Sequence, residues 1–195
     1  MKKLFSLVLV GLFLVGLTSA DTVTYPSVEN SSFKLGEKLR YRVTYGFMDA
    51  GEAVLEVKST SRKGSGRDLY HIVGTGKTLG GFNAFYKART LDMEGMKKGK
   101  QFSFQCFMDD EIYDLKIKYV GEEEIKIRKG KFKCHKFVPV VQTGRYFENE
   151  EDVQFWVTAD KNKIPVLVKA KIPVGSIKLH LVEWENLKND LTSKL

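Results

Sequence analysis

Thiol, imidazole and imino acid are all scarce in this chain: two cysteines, three histidines and four prolines stand among 195 residues. His71, His135 and His180 fall on separate segments with no second ligand at zinc spacing, so the sequence announces no metal site. Neither cysteine sits in a redox or nucleophile motif, which sets thiol catalysis aside. A nucleophile elbow is missing, and a Ser-His-Asp triad therefore has no support. Gly74-Thr75-Gly76-Lys77-Thr78 resembles the end of a phosphate-binding loop, but that pattern needs glycine where His71 stands and a longer helix than the short candidate that follows. Missing crossover helices exclude a parallel βαβ sheet. With no repeat, low-complexity tract or linker, the length points to a single β-rich domain over residues 21–195.

What stands first is an address. Lys2 and Lys3 precede an apolar run from Leu4 to Leu17, broken by Ser6 and two glycines, and Thr18-Ser19-Ala20 offers small residues for cleavage. The run is shorter than the ~20 residues that cross a bilayer, so residues 1–20 read as a cleaved signal peptide. No cysteine near the cleavage site would carry a lipid. The expected location is the periplasm or the periplasmic face of the outer membrane, with no transmembrane segment left after cleavage.

Processing lowers the net charge from +8 to +6, because Lys2 and Lys3 leave and no acid does. The basic residues alternate with acids, as in Lys34, Glu37, Lys38 and Arg40, which describes a solvated surface and not a nucleic-acid groove. Weak attraction to anionic headgroups or envelope polymers stays open. The acidic clusters Asp109, Asp110, Glu111, Asp114 and Glu148, Glu150, Glu151, Asp152 follow no calcium-loop pattern and read as solvated loop charge. Paired carboxylates could be drawn from many acids here, so they discriminate nothing.

The body of the chain alternates with period two. Leu39, Tyr41, Val43 and Tyr45 share one face, and Ala53, Leu55 and Val57 continue it after a turn at Gly46 to Gly51. Further strands are expected at Asp68–Thr78, Ala88–Met96, Gln101–Met108, Ile112–Val120, Glu123–Arg128, Lys131–Val141 (bulged or bent near Phe137), Val153–Thr158, Ile164–Ile172 and Ser176–Trp184. Asp160 to Lys163 forms a turn in which Asp and Asn tolerate left-handed φ. Leu79–Lys87 is the one helix candidate, with Phe82, Phe85 and Tyr86 on one side. Asp21–Lys34 and Glu185–Leu195 read as a polar leader and a polar tail. About ten strands in series predict a mainly antiparallel, strongly curved sheet or incomplete barrel with one short helical insert.

Aromatic residues are 12% of the chain, and most must fill a core. A curved sheet can also enclose an apolar chain, and Tyr41, Tyr45, Phe82, Phe85, Phe155 and Trp156 are the residues expected to line such a face. Cys106 and Cys134 are either a disulfide, worth ~3–4 kcal/mol in the chain-entropy model, or two buried thiols.

Phe33-Lys34-Leu35-Gly36-Glu37-Lys38-Leu39-Arg40-Tyr41, Asp49-Ala50-Gly51-Glu52-Ala53, Trp156-Val157-Thr158-Ala159-Asp160 and Ile164-Pro165-Val166 resemble an exported bacterial family, domain of unknown function family 3108, in its Bacteroidota form. The resemblance implies an envelope location and a β-rich fold, and supplies no activity or site. In architecture it is similar to the half-barrels of periplasmic lipoprotein carriers, an analogy of shape. The expectation is a non-enzymatic, cofactor-free binding or carrier protein for an apolar or lipid-like ligand. The alternative is a structural module that docks on an envelope protein.

Overall fold

The computed structural model describes residues 29–61, 63–64, 67–76, 82–108, 111–140 and 152–195. Residues 1–20, expected to be a signal peptide, most of the leader, Lys77, Thr78, Asp109, Asp110, Glu148, Glu150 and Glu151 lie outside the described residues, as do the side chains of Phe82, Cys106, Glu111 and Asp114.

Among the described residues, eleven strands and one helix follow in order: β1 (Lys38–Tyr45), β2 (Met48–Lys58), β3 (Lys63–Gly64), β4 (Arg67–Asp68), β5 (His71–Thr75), α1 (Phe82–Ala88), β6 (Gln101–Met108), β7 (Glu111–Ile127), β8 (Gly130–Pro139), β9 (Val153–Thr158), β10 (Pro165–Lys171) and β11 (Ser176–Glu185). Nine of them form one antiparallel sheet in the order β5-β2-β1-β11-β10-β9-β8-β7-β6, and β3 and β4 make a small ribbon in the expected loop. The sheet does not close, so the incomplete barrel read from the alternation is the architecture that forms.

The register lays apolar residues in rows. Val43, Leu179, Val168, Phe155, Phe137 and Tyr119 are consecutive partners across six strands. Side chains of neighbouring rungs point to opposite faces, so the next row, Arg42, His180, Leu167, Trp156 and Lys136, lies on the reverse face. On β9, Phe155, Trp156, Val157 and Thr158 are all buried, as suits a strand covered on both faces. Phe137 stacks on Phe155 at 5.3 Å, and Phe85 meets Phe155 edge-on at 5.2 Å.

Several expectations are corrected. Ala88–Met96 is no strand: α1 ends at Ala88, and turns follow in which Thr90 N donates to Lys87 O and Leu91 N to Ala88 O. Its apparent alternation has another cause, since Ala88 and Arg89 are both buried under the sheet. Ile112–Val120 and Glu123–Arg128 are one strand, β7, kinked by a register shift between Tyr119 and Gly121. That irregularity faces Phe137 and Lys136, so the bend expected in β8 is carried by its neighbour. Gly121, at φ +138°, makes it feasible. In the β9–β10 turn the left-handed residue is Lys163 (φ 47°), while Asp160 Oδ1 accepts from Thr158 Oγ1, Asn162 N and Lys163 N. The C-terminal residues are also not a loose tail. Lys133 N donates to Ser193 O, Leu195 N donates to Lys131 O, and Asn162 Nδ2 donates to Asn189 O and Asp190 O.

Candidate functional site

The most polar point of the interior is built where the leader, α1 and the β9–β10 turn meet. Glu37 and Arg89 are both 0% exposed and pair in two places, Nη1 to Oε1 at 2.5 Å and Nη2 to Oε2 at 2.8 Å. Arg89 also donates from Nε to Asn162 O and from Nη2 to Ser32 O, while Ser32 Oγ donates to Arg89 O. Phe33 and Tyr86 flank the guanidinium, 5.2 and 4.8 Å from its carbon. Burial drives the Arg89 pKa down, but the Glu37 hydrogen bonds and charge outweigh it, and the net shift is upward. Burial likewise raises the Tyr41 and Tyr86 phenols. A saturated, closed pair offers no open coordination or proton-transfer position, so this centre positions chain segments.

Of the six residues expected to line an apolar ligand site, the side chain of Phe82 lies outside the described residues, and the other five fall in both core clusters and at the sheet's end. Tyr41 and Phe155, each 1% exposed, belong to two different packed clusters. Trp156 is on the reverse face, where its indole donates to Glu123 Oε2 at 2.9 Å and Lys136 lies 5.3 Å from its ring. Tyr45 sits at the sheet's end and donates to Val174 O at 2.6 Å. Phe85 wedges between both clusters. Packing density, and not the aromatic pattern, decides which rings face a space.

Cys134 is a free, buried thiol, pushed up to about 12 by burial with help from Asp160 and Glu123. The disulfide alternative fails on register. Cys106 pairs with Tyr113 and Cys134 with Glu123, ten residues further along β7, a separation of roughly 30 Å against the ~7 Å limit for a bridge. His71 is exposed, whereas His135 is nearly buried beside Tyr119 Oη (3.3 Å) and Glu122 Oε1 (3.6 Å). Burial lowers the His135 pKa, and burial with Lys178 and Arg42 lowers that of His180.

Open space occurs on the reverse face, where the β7–β8 turn approaches β1 and β11. Two adjoining clefts of about 390 and 190 Å³ share Arg42, Arg128 and Val182. Lys129 lines the larger, and Thr44, Asp49, His180 and Leu181 the smaller. Arg42 pairs with Asp49 at 3.6 Å. Arg128 and Lys129 have no ion pair among the described residues, so the crevice carries uncompensated positive charge over an aliphatic floor.

The family described as "Protein of unknown function (DUF3108)" matches residues 40–95 and 82–182, more than half of the chain. The chain belongs to the DUF3108 family. No curated protein and no solved structure matches it. In this DUF3108 protein the motifs that suggested the family do structural work. Gly36 takes φ +80° so that Glu37 can turn under the sheet, and Gly51 sits beside a register shift between Val43 and Thr44. The Trp156–Asp160 and Ile164–Val166 motifs form the closing hairpin. Sequence reasoning missed the Glu37–Arg89 pair, because 52 positions separate its partners and neither stands in a catalytic pattern. The signal available was a lone Arg89 in an otherwise apolar alternation.

Proposed function

We propose that this DUF3108 protein is exported to the bacterial cell envelope, catalyses no reaction and acts as an interaction module, docking an acidic partner segment on its reverse face. The observation that carries this reading is the Arg42–Arg128–Lys129 crevice, in which Arg128 and Lys129 have no ion pair among the described residues. Unpaired cations beside aliphatic residues suit an acidic segment. A photo-crosslinker at Lys129 in cells should give one dominant protein adduct that Arg42→Glu with Arg128→Glu abolishes. Diffuse or absent adducts would remove the idea.

A second reading, a carrier of an apolar or lipid-like ligand, keeps one support. Met93, Met96, Phe102 and Phe104 are only partly buried beside Phe85, leaving an apolar margin near α1 and β6. Native mass spectrometry of protein purified from its own envelope separates the two, since retained lipid favours the carrier.

A further inference from the structure

We propose that the sheet end formed by the β1–β2 and β10–β11 turns is a membrane-contact tip that seats this protein on an anionic bilayer surface. Three apolar side chains are presented there to water: Phe47 is 96% exposed, Val174 74% and Met48 53%. They come from turns far apart in sequence that are fastened side by side. Gly46 N donates to Ser176 O at 2.9 Å, Tyr45 Oη donates to Val174 O at 2.6 Å, and the Tyr45 ring lies against Gly175. Both turns rely on left-handed glycines, Gly46 at φ +59° and Gly175 at φ +93°. A fixed projection that spends three large apolar groups on solvent has no packing purpose within the chain, and such patches mark contact sites.

The charge behind the tip selects the occupant. Lys169 and Lys178 stand directly opposite one another on β10 and β11, and Lys171 follows at the strand end. Like charges in register are unfavourable, yet none of the three has an ion pair among the described residues. The described acids at this end are Asp49, which pairs with Arg42, and Asp152, which is buried. Lys178 also faces Thr44, three residues before Phe47, so the lysine rung lies roughly 10 Å behind the apolar tip. Interfacial elements bury their apolar side ~5–10 Å into the headgroup and acyl boundary. With Phe47, Met48 and Val174 at that depth, Lys169 and Lys178 meet the phosphates, which answers their mutual repulsion. This goes beyond the docking of an acidic partner in the Arg128 crevice, and either can hold without the other.

The test places an indole at the tip of the full chain by Phe47→Trp and adds vesicles of phosphatidylglycerol and phosphatidylcholine. The expected result is a blue shift of the added emission, quenching by brominated lipid and protection from iodide, none of which the parent chain shows. Lys169→Glu with Lys178→Glu should lower that tip insertion by at least about thirtyfold, and Val174→Ser should weaken it about tenfold with charge unchanged. Because the readout sits at position 47, vesicle binding through any other segment does not mimic it. An indole at 47 that stays open to iodide on saturating anionic vesicles would overturn the proposal. So would equal insertion into pure phosphatidylcholine, or protection gained only on adding an envelope protein.

Discussion

Arg89 and Glu37 are worth more as a pair than either is alone. Arg89→Met leaves a carboxylate with no exposure and its main counter-charge gone, and should cost about 3–5 kcal/mol in urea unfolding. Adding Glu37→Leu to the same chain should restore much of that, because an apolar replacement leaves no buried charge behind. An additive double variant would show that the contact matters less than its geometry implies. Imidazoles act in the opposite sense. His135 and His180 have folded pKa values below the ordinary 6.5, so protonation favours the unfolded chain. Their contribution is fully present above about pH 6.5 and is lost as pH falls through that value toward the lower folded ones. The urea midpoint should therefore drop between about pH 7.5 and about pH 5.5, and His135→Gln with His180→Gln should flatten that slope. Glu122, held low chiefly by its Lys133 hydrogen bond, gives a separate loss below its ordinary 4.5.

At the scale of elements, the strands were legible and their interruptions were not. Leu39, Tyr41, Val43, Ala53, Leu55 and Val57 are buried as their alternation implies. The β7 kink escaped notice because Gly121 reads equally well as a turn or a bulge, and only the partner strand decides. The alternation in β9 sets Trp156 opposite Phe155, as the register has it, but a strand apolar on both sides does not say which ring faces which layer. The last residues looked polar because their backbone, not their side chains, makes much of the contact. Deleting residues 188–195 removes the Ser193 and Leu195 bonds to β8 and the Asn189 and Asp190 bonds to Asn162, and should cost at least about 3 kcal/mol at roughly 1 kcal/mol per bond. Cys134 on β8 makes a chemical prediction. With its thiol pushed up to about 12, it should resist maleimide in the folded protein and react on unfolding.

The whole molecule is an open sheet with β5 and β6 at its margins, and the candidate sites are distributed accordingly. Sequence could supply the sheet but not the surfaces. The crevice joins Arg42 to Arg128 across 86 positions, and the apolar tip joins Phe47 to Val174 across 127. Such neighbours emerge only when the strand order is known. That order has a temporal consequence for synthesis. β1 lies between β2 and β11, so the ladder from Lys38–Glu185 to Tyr45–Ile177 has to wait for partners made 132 to 147 positions later. A polypeptide still being made can close the β1–β2 hairpin and leave one rim of β1 bare. Ring closure over so long a loop is slow, and an unfilled strand rim invites foreign strands. The nascent form is thus the one that most needs a chaperone, until β11 arrives and seals the middle of the sheet.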